Sequence, residues 1–166
     1  MLVTSAEAAK LLRKLNEEKN FIENNENQSC YFIAAINEDI ELARPEYDYS
    51  ATRLELNALE TKIRKLKHAI NKFNLEHEVP GFNMTVDQML VYIPQLTQQR
   101  QRLSMMKDRL PKKREYVRVA GTIEYTYANY DVNKAKEDYD KISDELAKAQ
   151  TALDVLNNQV KFEIDI

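Results

Sequence analysis

The chain contains very few residues that turn a backbone sharply. Of its 166 residues only two are Gly and four are Pro, and Trp is absent. Average usage would put Gly and Pro together at ~12 % of residues, so we expect few turns and long helices or strands. All-β sandwiches and β-barrels are excluded, because these folds need a turn signal every ~8–12 residues. Glycine-rich phosphate loops are excluded as well, because Gly81 and Gly121 lie 40 residues apart.

Long apolar runs, cysteine pairs and a strong charge of one sign are also missing. The longest apolar run is residues 31–36, six residues against the ~20 that a membrane-spanning helix needs. Cys30 is the single cysteine. The N-terminal residues lack the pattern of a secretion signal. We therefore expect a soluble cytoplasmic protein without a transmembrane segment. The formal net charge of −3 implies no overall attraction to nucleic acid or acidic lipid.

The spacing of apolar residues predicts long helices. Six apolar residues from Leu56 to Phe73, and eight from Ala135 to Val160, follow alternating steps of three and four, which is typical of a narrow heptad seam. Residues 89–110 keep this spacing but include Gln99, either a register-setting buried contact or a partly exposed residue. We expect a single mainly α domain over residues 1–166, an elongated antiparallel four-helix bundle with coiled-coil-like heptad seams. Its helices are predicted near residues 4–25, 50–76, 85–110 and 131–160.

Local signals set the predicted helix ends. Thr4 with Glu7, and Thr85 with Gln88, match capping boxes, and Asp131 is suited to cap the last helix. The Asn-rich run 24–29 predicts fraying of the first helix, because its side chains compete with the backbone for hydrogen bonds. Pro94 either kinks the third helix or starts a new one. We favour a kink, since the seam continues through it.

Two segments have the pattern of strands. Residues 30–36 are short, aromatic and β-branched, and residues 122–129 alternate apolar with polar side chains. An isolated strand is unstable, so we expect the two to pair as a small β-ribbon at one end of the bundle. Residues 162–166 alternate in the same way and could add a third strand.

No pattern in the chain indicates catalysis or metal binding. The Glu-x-x-His pair of di-iron bundles is absent around both His68 and His77. Cys30 lies in an apolar run, where a buried inert thiol is the usual outcome, and the G-x-S-x-G motif is missing. We predict no catalytic, cofactor-binding or metal-binding residue and no cofactor, although an enzyme with scattered residues stays open.

Charge and tyrosines indicate an interaction surface instead. Residues 98–118 carry eight basic and two acidic side chains, whereas residues 38–48 carry five acidic and one basic. The basic stretch could contact phosphates of a nucleic acid or pair with acidic segments of its own fold or of a sister subunit, which we favour because residues 98–114 hold no aromatic residue. Tyrosines near the predicted ribbon could line an interface or, as we favour, cap the bundle. The predicted interaction surface comprises Arg109, Lys112, Lys113, Arg114, Tyr125 and Tyr127.

Several long stretches of the chain resemble a known family. In order they are IRKLKHAINKFN (63–74), VPGFNMTVDQMLVYIPQL (79–96), MKDRLPKKRE (106–115), YTYANYD (125–131) and DELAKAQTALD (144–154). They resemble the septicolysin-like family of small helical bacterial proteins. The resemblance implies a helical bacterial protein, and the family name implies membrane lysis. It supplies no catalytic or ligand residue for this chain.

The leading functional prediction is a non-catalytic interaction or scaffold protein that associates with itself. Narrow heptad seams and an exposed strand edge both offer surfaces that another copy could complete. The alternatives are nucleic-acid binding through residues 98–118, and the membrane lysis that the family name suggests.

Overall fold

In the computed structural model, which describes residues 1–115 and 122–166, the chain is mainly helical with small antiparallel strand pairs. Along these residues the elements are β1 (Leu2–Thr4), α1 (Ser5–Ser29), α2 (Ile40–Ala43), α3 (Tyr49–Glu76), β2 (Glu78–Val79), β3 (Met84–Thr85), α4 (Val86–Lys107), β4 (Lys112–Arg114), β5 (Tyr125–Tyr127), α5 (Val132–Gln159) and β6 (Lys161–Glu163). The mainly α class agrees with the sequence prediction. Predictions that concern Tyr116, Arg118 or Gly121 lie outside the described residues.

The long helices lie close to their predicted ranges, but two of their ends differ. The prediction that α1 frays at the Asn-rich run is wrong, because the helix continues to Ser29. The Cys30 backbone N–H donates to the Glu26 carbonyl oxygen at 2.8 Å, and the Glu26 side chain is held by residues outside the helix. These contacts outweigh the local preference of the asparagines. The α4 helix ends at Lys107 rather than near 110, since the approaching Pro111 disfavours helical backbone in the residue before it.

All three predicted helix caps are confirmed. Thr4 and Glu7 form a capping box on α1, and Thr85 with Gln88 forms one on α4, each with both reciprocal hydrogen bonds present. The Asp131 carboxylate accepts from two backbone N–H groups in the first turn of α5, at 2.8 and 3.2 Å. Each cap satisfies donors that a helix start would otherwise leave unpaired.

The predicted seam positions are mostly the buried ones. On α3 the buried residues are Leu56, Leu59, Ile63, Leu66 and Phe73, and on α5 they are Ala135, Leu146, Ala149, Leu153 and Leu156. Gln99 is exposed, so the interpretation of this residue as a buried, register-setting contact is wrong. The α4 helix runs through Pro94 without interruption, so no new helix starts there.

The predicted ribbon is wrong in its pairing. Residues 31–35 form no strand, and β5 pairs antiparallel with β4 instead, with Arg114 opposite Tyr125. These partners are 11 residues apart in sequence, so closing the loop between them costs less entropy than pairing β5 with residues 30–36. The alternating segment at 162–166 does contribute a strand, β6, but its partner is β1, with Val3 opposite Phe162.

The first of two compact units comprises Met1–Asn74 and Asn157–Ile166. Its core is a cluster of buried apolar residues from α1, α3 and the β1–β6 pair: Val3, Ala8, Leu15, Leu59, Ile63, Leu66 and Ile164. The Phe73 and Phe162 rings pack with their centroids 4.7 Å apart. The Met1 amino group donates to the Ile164 carbonyl oxygen at 2.8 Å, which extends the β1–β6 ladder.

The second unit is the continuous stretch Leu75–Leu156. The β2–β3 hairpin begins it, and Gly81 in the turn has φ +85°, a left-handed conformation that favours glycine. The Val86 backbone N–H donates to the His77 carbonyl oxygen at 2.9 Å, which joins the hairpin to the start of α4. Val79, Val86 and Met89 are almost fully buried and form part of the apolar interior of this unit.

Candidate interaction surfaces

The β4–β5 ribbon gathers most of the predicted interaction residues on one face. In its register Lys112 lies opposite Tyr127, and Arg114 lies opposite Tyr125. Side chains alternate along a strand and directly opposite residues share a face. Both tyrosines and two basic residues are therefore on one face of the ribbon, and Lys113 with Thr126 is on the other.

The Lys112 ammonium group connects the two aromatic rings of this face. Its nitrogen lies 4.2 Å from the Tyr125 ring centroid and 5.3 Å from that of Tyr127. The two rings are 6.3 Å apart, at 48° to each other. An exposed cation–π contact is worth ~0.5–1 kcal/mol. This face therefore presents positive charge and aromatic surface together.

Hydrogen bonds at both ends fix the ribbon. The Ala128 N–H donates to the Pro111 carbonyl oxygen at 3.0 Å, and the Glu115 N–H donates to the Glu124 carbonyl oxygen at 2.9 Å. The Tyr130 hydroxyl donates to the carbonyl oxygen of Met106, near the end of α4, at 2.8 Å. The ribbon is thus attached to α4 while its own side chains remain in solvent.

All six residues of the predicted interaction surface are exposed. Five are on the ribbon, and Arg109 lies three residues before β4, just beyond α4. Tyr125 and Tyr127 are 41 % and 62 % exposed, so the interpretation of these two as buried caps is wrong. The aromatic residues that accompany the basic run come from the opposite strand rather than from residues 98–114. The Lys-Lys-Arg run 112–114 has no apolar–polar alternation, so no sequence signal marks it as the partner strand of residues 125–127.

The rest of the predicted basic stretch lies elsewhere. Arg100 and Arg102 belong to α4 rather than to the ribbon. The Lys107 ammonium nitrogen lies 4.5 Å from the Tyr139 ring centroid and 3.3 Å from the Asp108 carboxylate. The stretch is therefore divided between a helix and the ribbon.

A second surface consists of residues 31–42, here called the apolar segment. Four of its large side chains have exposed fractions between 86 % and 105 %, as in a fully extended chain: Tyr31, Ile33, Ile36 and Leu42. The sequence prediction placed most of these residues in a strand, and nothing in their composition distinguished a paired strand from an open loop. Large exposed apolar side chains are usually scattered singly or mark an interaction site, and four of them occur within this one segment.

The Glu26 side chain anchors the chain just after the apolar segment. The Tyr47 hydroxyl donates to Glu26 Oε1 at 2.6 Å, and the Arg53 guanidinium pairs with Glu26 Oε2. The hydrogen bond raises the pKa of Tyr47 to about 12, and the same bond, with that from Arg53, lowers the pKa of Glu26. A cavity of about 500 Å³ opens beside this anchor, and four acidic residues are among those that line it: Glu18, Glu46, Asp48 and Glu55.

The described residues offer no metal centre. Among residues 1–115 and 122–166, no group of three or more His, Cys, Asp or Glu side chains is arranged to hold a metal ion. His68 is exposed on α3, and Cys30 is half-buried at the end of α1 rather than within a strand. No helix in this part of the chain combines the length and apolar character needed to cross a membrane.

Comparison with known proteins supports the fold. No family model and no curated protein matches the chain. The chain is similar to the crystal structure of a functionally unknown conserved protein from Corynebacterium diphtheriae, with a TM-score of 0.64 and 19 % identity. The match covers 98 % of this chain and 100 % of that one. The septicolysin-like resemblance stays a prediction.

Proposed function

We propose that the chain is a non-catalytic interaction or scaffold protein that associates with itself. The observation that carries this proposal is the exposure of the apolar segment. Four of its large side chains lie in water almost completely, which leaves surface that a second copy can bury.

Burial of this surface would release free energy of the same order as the cost of association. Burying a large apolar side chain contributes ~1.5–3 kcal/mol, so four contribute about 6–12 kcal/mol. Association costs an estimated ~4–15 kcal/mol in lost translational and rotational freedom. Net binding therefore needs further contacts around the segment.

We also propose that the heptad seams form a coiled-coil-like bundle, in a cytoplasmic bacterial protein. The alternating three-and-four spacing of buried residues on α3 and α5 supports the bundle. The single cysteine supports a reducing compartment.

Light scattering across a range of protein concentrations tests self-association. The wild type is expected to increase in mass at micromolar concentration. The double variant Ile33→Gln/Ile36→Gln is expected to remain monomeric with unchanged helicity. The matched control is Leu54→Gln/Leu75→Gln, which removes two leucines of α3 that are 73 % and 63 % exposed. The proposal fails if the wild type stays monomeric, or if both double variants behave alike.

Binding of single-stranded nucleic acid is the second candidate, and the ribbon favours it. Lysine and arginine beside two exposed tyrosines match the combination that such sites use, in which cations contact phosphates and rings stack on bases. The overall charge of −3 opposes long-range attraction, so binding would depend on this local face.

A salt titration with a single-stranded oligonucleotide tests this second candidate. Affinity is expected to fall steeply with salt, and Lys112→Ala/Arg114→Ala is expected to flatten the slope by ~0.7 per lost phosphate contact. Tyr125→Ala is expected to cost ~1–3 kcal/mol in stacking. Arg100→Ala/Arg102→Ala on α4 removes equal charge away from the ribbon and serves as the control. Equal losses from both charge variants would reject a ribbon site.

A further inference from the structure

The apolar segment is bordered by negative charge. It includes Glu38, Asp39 and Glu41, and residues 38–48 carry five acidic side chains and one basic. The cavity beside its anchor adds Glu18 and Glu55 to this acidic border. A surface that covers the segment must therefore combine apolar groups with positive charge.

The ribbon and the residues next to it have that combination. Residues 107–115 carry five basic and two acidic side chains. Leu110 and Ile123, which flank the two strands, are 64 % and 57 % exposed, and Tyr127 adds a third exposed apolar surface. Apolar side chains and cations thus occur together here, as the segment requires.

A contact between two apolar segments is unfavourable, and so is a contact between two ribbons. Two apolar segments facing each other would bring their acidic borders together, and two ribbons would bring their lysines and arginines together. Like-charge juxtaposition at an interface costs several kcal/mol and selects against that pairing. Unlike surfaces from two copies meet with opposite charge.

We infer that the apolar segment of one copy docks on the β4–β5 ribbon of a second copy. The inference rests on the proposed self-association and names the two surfaces that carry it. Because each copy has one segment and one ribbon, the contact is heterologous. Each associated copy leaves one of the two surfaces free, so copies add head to tail until a ring closes or a filament grows.

A charge-exchange experiment tests the pairing. The segment variant is Glu41→Lys/Glu46→Lys and the ribbon variant is Lys112→Glu/Arg114→Glu, four exposed side chains. Sedimentation equilibrium at low ionic strength measures the association constant of each variant and of their equimolar mixture. Each variant alone is expected to associate at least about tenfold more weakly than the wild type. The mixture is expected to recover wild-type association, because every segment then finds a ribbon of opposite charge.

Other outcomes separate this inference from the proposed function. If the wild type associates and the ribbon variant does so equally well, the ribbon is not the partner surface and self-association stands. If the mixture stays as weak as the separate variants, the pairing is likewise overturned. A monomeric wild type overturns both. Circular dichroism checks the fold of each variant, and Glu46→Lys with Arg114→Glu repeats the comparison should a double variant lose helicity.

Discussion

Shortening Leu66 to alanine probes the core of the first unit. Leu66 is on α3, is 0 % exposed, and belongs to the cluster that includes Val3 from β1, Leu15 from α1 and Ile164 next to β6. Removing a buried leucine side chain costs ~2–5 kcal/mol, because the lost transfer energy adds to the cavity left behind. Since these neighbours come from separate elements and cannot all close on the space, we expect about 3–4 kcal/mol for Leu66→Ala.

Leu54 on the same helix supplies the matched control. It is 73 % exposed, so Leu54→Ala is expected to change the free energy of unfolding by no more than ~0.5 kcal/mol. Denaturant unfolding followed by circular dichroism measures both variants against the wild type. Equal losses in the two variants, or a loss below ~1 kcal/mol for Leu66→Ala, would refute the assignment of α3's buried face.

Three further predictions concern α5, the anchor and a helix cap. Leu146→Asp places a charge at a 3 % exposed seam position and is expected to lower the melting temperature severely, whereas Lys148→Asp on the exposed face leaves it nearly unchanged; equal melting temperatures would contradict the seam. Hydrogen bonds lower the folded-state pKa of Glu26 below 4.5, so the stability its carboxylate contributes at neutral pH is lost as pH falls through the lowered value. Unfolding free energy measured against pH should therefore decline less steeply in Glu26→Gln than in the wild type, and identical slopes would exclude the anchor. Thr85→Ala removes the hydrogen bond that the Thr85 side chain accepts from the Gln88 N–H and is expected to cost ~1 kcal/mol. Thermal melting measures this loss against Thr97→Ala inside the same helix, which is expected to cost less.

The sequence predicted those parts of the fold that depend on local spacing. Heptad steps identified the buried residues of α3 from Leu56 to Phe73, because a helix positions side chains by counting along one segment. The capping boxes were predictable for the same reason, since both partners lie within four residues. Strands were harder, because residues 30–36 have strand composition but no strand pairs with them. The end of α1 was missed because its Glu26 contacts come from residues 47 and 53.

The same distinction between local and long-range information applies to the candidate surfaces. Arg109 and the basic run 112–114 stand out in the sequence as local charge, and so do Tyr125 and Tyr127 as local aromatics. That Lys112 lies over both rings depends on strand register, which local composition does not encode. Residues 30–36 stand out in the sequence for their apolar and aromatic composition, which predicts a paired strand, whereas Tyr31, Ile33 and Ile36 are exposed in the structure. Exposure is a property of the whole fold and of its partners, so only the structure could reveal it.

The β1–β6 pairing has a consequence for the order of events on the ribosome. The first unit needs residues 157–166, whereas the second is encoded without interruption between residues 75 and 156. Translation therefore completes the second unit while the first still lacks Ile164 in its core and β6 as the partner of β1. Until residue 164 is made, the nascent chain has α1 and α3 with an unfinished core, and a chaperone or a second copy would encounter that half of the molecule unfinished longest.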